Sequence, residues 1–168
     1  MAEWLPKNEA KTLARDHELK TYIDTLPKDR AGYGLIHQDA HGGNFFIKDG
    51  AITLFDFDDC MYGWFIYDIA MVLFYAALGK EDMAAFTKTF MGDFLQGYAQ
   101  ENMLDPPWLP EIPHFLKLRE IDLYAIIHPV LMSKISMTLG APAIWLAAKK
   151  KSKRMYRLSN LIGGHWNR

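Results

Sequence analysis

The sequence predicts an α+β fold, mostly α, in which helices gather around one small β-hairpin. The hairpin is signalled by Asp49-Gly50, a two-residue turn between the apolar runs Phe45-Phe46-Ile47 and Ile52-Thr53-Leu54-Phe55. Downstream of it, apolar residues recur at helical spacing between Gly and Pro breakers. The composition agrees: half of the 168 residues are hydrophobic and 14% aromatic, which suffices for one sizeable core and argues against disorder. A single domain over 1–168 follows.

Taken in order, Asn8 is placed to cap a helix reaching Leu26, with Leu19, Tyr22, Ile23 and Leu26 on one face, and Pro27 stops it. Residues 28–34 read as a polar turn. Its Gly32-x-Gly34 lacks the third glycine and the following helix of a phosphate-binding loop. In the hairpin, a two-residue loop sets Lys48 opposite Ala51 and brings Asn44 beside Phe55, next to Asp56. Neighbouring strands lie about 5 Å apart, so one hard cation can bridge the Asn44 amide oxygen and the Asp56 carboxylate. Asp39 falls on the loop entering the hairpin, where a base would stand.

Residues 60–63 read as a loop, and a buried helix starts at Trp64 with Ile69, Val72, Leu73 and Ala76 inward and Asp68 as the exception. Gly79 ends it. Glu81-Asp82 open the next helix, whose apolar stripe is Met83, Phe86, Phe90 and Phe94. Asp105-Pro106-Pro107 and Pro110 mark a loop. Pro113 then opens a helix with Phe115, Leu118, Ile121 and Ala125 inward and the more polar Lys117, Arg119, Glu120 and Asp122, until Pro129 kinks or ends it. The basic stretch 149–157 reads as a solvated helix face or the end of the domain.

Several classes are disfavoured. A formal net charge of −1 asks for no nucleic-acid partner. The N-terminus has no apolar secretory core, and the longest apolar stretch, 64–78, is broken by Asp68 and falls short of the ~20 residues that span a bilayer. The single cysteine, Cys60, forms no internal disulfide and fits a reducing, cytoplasmic setting.

Three spaced motifs carry a resemblance: His37-x-Asp39-x-His41-x-x-Asn44, then Phe55-Asp56-Phe57-Asp58-Asp59, then Tyr67-Asp68-Ile69-Ala70. Together they resemble the aminoglycoside phosphotransferase and choline kinase families of the protein-kinase-like superfamily. Ordinary protein kinases do the same work with H-R-D-x-x-x-x-N and D-F-G. The resemblance covers the C-terminal lobe of such a kinase and implies an ATP-dependent O-phosphotransferase of a small hydroxylated acceptor, akin to aminoglycoside, choline or homoserine kinases. It assigns Asp39 as the base, Asn44 and Asp56 as ligands of Mg²⁺, and His37 and Asp68 as supports of the catalytic loop, with Asp68 accepting hydrogen bonds from loop amides. Asp58, Asp59, Tyr62 and Trp64, with Arg119 and Asp122 from the later helix, are candidates for binding a cationic acceptor. Few residues precede the catalytic loop, so the N-terminal lobe that clamps nucleotide is expected to be absent from this chain. A homodimer or a separate N-lobe partner would then complete it, and the isolated chain would have little activity. Two departures stand out: Gln38 where the family usually has glycine, and Gly42-Gly43 where relatives often have proline-glycine. Two alternatives compete: a non-catalytic kinase-like binding module, and a metallohydrolase built on His37-x-Asp39-x-His41.

Overall fold

The computed structural model describes residues 10–138. The Asn8 cap and the basic stretch 149–157 lie outside them. The elements are α1 (Ala10–Asp24), β1 (Tyr33–Ile36), β2 (Phe45–Lys48), β3 (Ala51–Leu54), β4 (Met61–Trp64), α2 (Phe65–Ala77), α3 (Met83–Glu101), a 3-10 helix (Pro106–Glu111) and α4 (Ile112–Thr138). The fold is mostly helical with small antiparallel sheets, as the sequence implies.

The strands make two separate two-stranded sheets, β1 with β4 and β2 with β3. In the second, Lys48 faces Ala51 and Phe45 faces Leu54, the register that the Asp49-Gly50 turn dictates. Both turn residues have positive φ, +50° and +79°, as the hairpin turn matching strand twist requires. The first sheet departs from the sequence reading. Met61–Trp64 is a strand where a loop was expected, and Trp64 is extended (φ −80°, ψ 130°), so the helix begins at Phe65. The cause is non-local: Tyr33 pairs with Trp64 and Ile36 with Met61, so the strand exists only because its distant partner is there. Gly32 and Gly34 belong to this packing. A Cβ on Gly32 would collide with the Trp108 indole, and one on Gly34 with the Phe65 ring.

Helix α2 is the centre of the core. Ile66, Ile69, Ala70, Met71, Leu73 and Phe74 are all at most 2% exposed, so it is apolar on nearly every side. It packs on Ile112, Phe115 and Leu116 of α4, on Ile36 of β1 and on Trp108. Gly79, at φ +82°, follows it, and Asp82 caps α3 by accepting from the Ala85 amide. Helix α3 lies on one side, where Phe86, Phe90, Phe94 and Tyr98 stack in sequence.

Two further expectations need correction. The proline-rich stretch after Asp105 is not irregular: Pro106–Glu111 is 3-10 helical, a form that tolerates prolines in its first turn, and it inserts Trp108 into the core. Helix α4 runs through position 129 to Thr138, so Pro129 does not end it. Three of the more polar residues of α4 are themselves buried. Arg119, Glu120 and Asp122 are 7%, 7% and 3% exposed. Among the described residues no helix is long and apolar enough to cross a membrane.

Candidate active site

The segment from His37 to Asn44 joins the two sheets and is fixed at both ends. At its start, the Asp68 carboxylate in the first turn of α2 accepts the amides of His37 (2.9 Å) and Gln38 (2.8 Å), one on each oxygen. The His37 ring is buried, accepts the Asp39 amide on Nδ1 at 3.3 Å, and so donates from Nε2 to the Phe55 carbonyl at 3.0 Å. It also packs on Phe57. His37 therefore ties the loop to the far strand of the hairpin and is not free as a base. Gln38 has φ +67°, a left-handed conformation that costs a side-chain-bearing residue about 1–2 kcal/mol, which gives a physical reason for glycine in relatives.

Asp39 is the convergence point. Its Oδ1 accepts Arg119 Nη2 at 2.7 Å; its Oδ2 accepts Asn44 Nδ2 at 3.0 Å and faces His41 Nε2 at 3.3 Å. The Asn44 amide nitrogen donates to the Asp39 carbonyl as well (2.9 Å), so the side chain closes the loop on itself. With the nitrogen engaged, the Asn44 amide oxygen is left as a donor atom for a cation. The Asn44 carbonyl accepts the Phe55 amide at 2.9 Å, which sets Asp56 at the adjacent position. Asp56 is exposed and left-handed at φ +63°, turning the chain out of the strand at the hairpin's open end. An amide oxygen and a carboxylate just beyond the paired ends of β2 and β3 are hard oxygen donors suited to Mg²⁺ or Ca²⁺. The His37-x-Asp39-x-His41 cluster, by contrast, is not assembled for metal. Its two imidazoles turn to Phe55 and Asp39, and among the described residues no three His, Cys, Asp or Glu side chains gather as a metal site.

The acceptor-binding candidates divide. Asp58, Asp59 and Tyr62 are exposed beyond Asp56. Trp64 is occupied by packing: its Nε1 donates to the Pro27 carbonyl at 3.0 Å, with Tyr33 edge-on and Phe115 against it. Arg119 is brought onto Asp39 itself. Asp122, one turn further along α4, faces Tyr67 and the Asp16–Lys20 pair of α1.

Charges respond to this burial. Burial pulls the Arg119 guanidinium downward, but the Tyr75 hydroxyl, Tyr67 and Asp39 outweigh it and leave its pKa raised, so it stays a cation. Burial raises the Asp122 carboxyl, with Lys20 opposing. Burial and Asp122 push the Tyr67 hydroxyl up, so it stays protonated. Tyr75 escaped the sequence reading altogether. Arg119 donates to its hydroxyl at 2.5 Å, and its ring lies 4.3 Å from that of His41. A cue was present for Arg119: it sits four residues after Phe115, on the inward stripe of α4.

A model of the phosphotransferase enzyme family (APH) matches residues 1–108. Amicoumacin kinase of Bacillus subtilis (strain 168) is 42% identical over 132 residues, which cover 76% of this chain and 39% of that protein. The solved structure of the amicoumacin kinase hAmiN in complex with AMP-PNP, Ca²⁺ and Ami superposes with a TM-score of 0.74 at 37% identity, over 95% of this chain and 46% of that one. The microcompartment-associated aminopropanol kinase, at 20% identity and a TM-score of 0.55, shares the fold; 97% of this chain and 46% of that one are covered. The chain thus spans under half the length of the relatives it matches.

Proposed function

The chain belongs to the phosphotransferase enzyme family, and from that premise we propose that it is the catalytic lobe of an ATP-dependent O-phosphotransferase acting on a small hydroxylated acceptor. The observation that carries the reading is the convergence of Asn44 on Asp39 from one side and on the strand leading to Asp56 from the other. On this reading Asp39 is the base, and Asn44 and Asp56 beside it are the pair of oxygen ligands; the contacts of Asn44 with Asp39 and with Phe55 support it. Asp39 orients the acceptor hydroxyl and takes its proton as the acceptor oxygen bonds to the γ-phosphorus. The bond from that phosphorus to the bridging oxygen breaks, and its electron pair leaves with ADP. Asn44 and Asp56 would hold Mg²⁺, which when bound neutralises charge on the donor's phosphate oxygens. Asp68 keeps the loop amides in place, so that Asp39 is positioned before substrate arrives.

The likeness to amicoumacin kinases, at 37–42% identity, supports a small-molecule acceptor, and the exposed carboxylates Asp58 and Asp59 beyond the metal pair favour one that carries a cationic nitrogen. The acceptor class is therefore an amino alcohol or a hydroxylated amine-bearing natural product. The reading includes a partner for the nucleotide-facing side. Ile47, Ile52 and Phe57 of the hairpin region are 64%, 69% and 53% exposed, an apolar patch that favours an N-lobe partner or a second copy. A cytoplasmic setting goes with an ATP donor and the lone Cys60.

The test is nucleotide turnover by the chain, alone and with a relative's N-terminal lobe added, over a panel of amino alcohols, aminoglycosides and hydroxy amino acids, with mass followed by light scattering. Negligible turnover by the monomer and acceptor-dependent turnover on complementation are expected. Robust turnover by a clean monomer would overturn the need for a partner, and no turnover in any form would overturn the kinase reading.

A further inference from the structure

We propose that Arg119 and Tyr75 are positioning residues for the Asp39 carboxylate, holding it so that a lone pair on Oδ1 stays open toward the acceptor hydroxyl. The inference rests on Asp39 being the base. A carboxylate offers about four lone-pair sites. On Oδ2, Asn44 Nδ2 donates at 3.0 Å and His41 Nε2 lies at 3.3 Å. The Gly43 amide donates to His41 Nδ1 at 2.9 Å, which puts the ring proton on Nε2, facing Asp39. That oxygen is filled. On Oδ1 the donor is Arg119 Nη2 at 2.7 Å, and a second lone pair remains. The direction from which Asp39 can receive a proton is thereby set by where Arg119 holds it.

Arg119 can set that direction because it is itself fixed. It is 7% exposed, its Nη2 also donates to the Tyr75 hydroxyl, and its guanidinium lies 5.5 Å from the centre of the Tyr75 ring. The same Tyr75 ring packs on His41, so one side chain of α2 braces the donors on both carboxylate oxygens. The donors come from the catalytic loop and from α4, and α2 and α4 pack together through the core, so the frame around Asp39 is set by tertiary structure. Lysine would supply the charge but not a planar group that bonds the carboxylate while lying over the ring.

The experiment combines two readouts on Asp39→Asn, Arg119→Met, Arg119→Lys, Tyr75→Phe and the Asp39→Asn/Arg119→Met double variant. Denaturant melts of the chain measure whether the two residues are coupled. The expected result is that the single shifts do not add in the double variant. Steady-state turnover is measured in the form of the protein that is competent. Arg119→Met should lower kcat about tenfold or more with little change in donor KM, because misplacing a catalytic group costs rate and not nucleotide affinity. Arg119→Lys should recover part of the loss, and Tyr75→Phe should fall between Arg119→Met and the parent. Additive melts would overturn the proposal. So would an Arg119→Met variant that folds and keeps full kcat while Asp39→Asn is inactive. An Asp39→Asn variant with full turnover would instead overturn the base assignment and take this proposal with it.

Discussion

The two sheets of this protein have strands of equal length and opposite logic. The β2–β3 hairpin is local: a two-residue turn joins its strands, and its register follows from that turn. It is also solvent-facing, with most of its residues exposed. The β1–β4 sheet joins residues separated by the whole segment 37–60, and it is anchored by buried Ile36 and by Gly63, where a Cβ would strike the Ile36 side chain. Asn44 and Asp56, the proposed ligands, flank the open end of the hairpin; the β1–β4 sheet closes the segment that contains them. The open end of the hairpin, where the proposed metal ligands stand, is thus built by cheap local structure, while its placement against the helices depends on long-range contacts.

That contrast can be broken by substitution. Ile36→Ala, which empties a buried site under β1–β4, should destabilise by about 2–5 kcal/mol in denaturant melts. Ile52→Ala on the hairpin, at 69% exposure, should stay within about 0.5 kcal/mol. Similar costs at the two sites would erase the distinction. Asp68→Ala comes next: it leaves the His37 and Gln38 amides without their acceptor and should cost about 1–3 kcal/mol even without ligand. An unchanged thermal midpoint would make Asp68 a bystander.

A smaller effect of opposite sign is expected on α4. The Asp122 carboxyl has its pKa raised by burial above the ordinary 3.8, so the folded protein binds that proton more tightly than the unfolded chain does. Its stabilising contribution is full below the unfolded value and is lost as pH rises through the raised folded one. Asp122→Asn should therefore raise the midpoint at neutral pH, by less than the Asp68→Ala loss, and flatten the acid side of the stability profile. A lower midpoint at neutral pH would show that Lys20 and Arg119 fully compensate the charge.

How much could be read in advance follows the same division. The hairpin register, the Asn44–Phe55–Asp56 juxtaposition, the Gly79 stop and the Asp82 start are short-range, and Gly, Asp and apolar spacing encode them. Met61–Trp64 carries no such signal, since its partner is remote and its glycine suggests a turn. The engagement of Arg119 with Asp39 was likewise invisible: nothing in the spacing of two residues eighty apart says they meet. Arg119 was legible as a polar residue of the later helix and as a candidate for acceptor binding, but charged residues are seldom buried unless paired, and its pairing with Asp39 could not be seen.

The proposed mechanism divides labour within one loop and hairpin, with Asp56 holding the metal and Asp39 taking the acceptor's proton. Calorimetric titration with Mg²⁺-nucleotide of the parent, Asp56→Asn and Asp39→Asn proteins tests it most directly, using the chain reconstituted with an N-terminal lobe if the lone chain binds weakly. The account predicts that Asp56→Asn weakens binding by about tenfold or more, while Asp39→Asn leaves it within about threefold. Equal losses in the two variants, or a larger loss from Asp39→Asn, would contradict it.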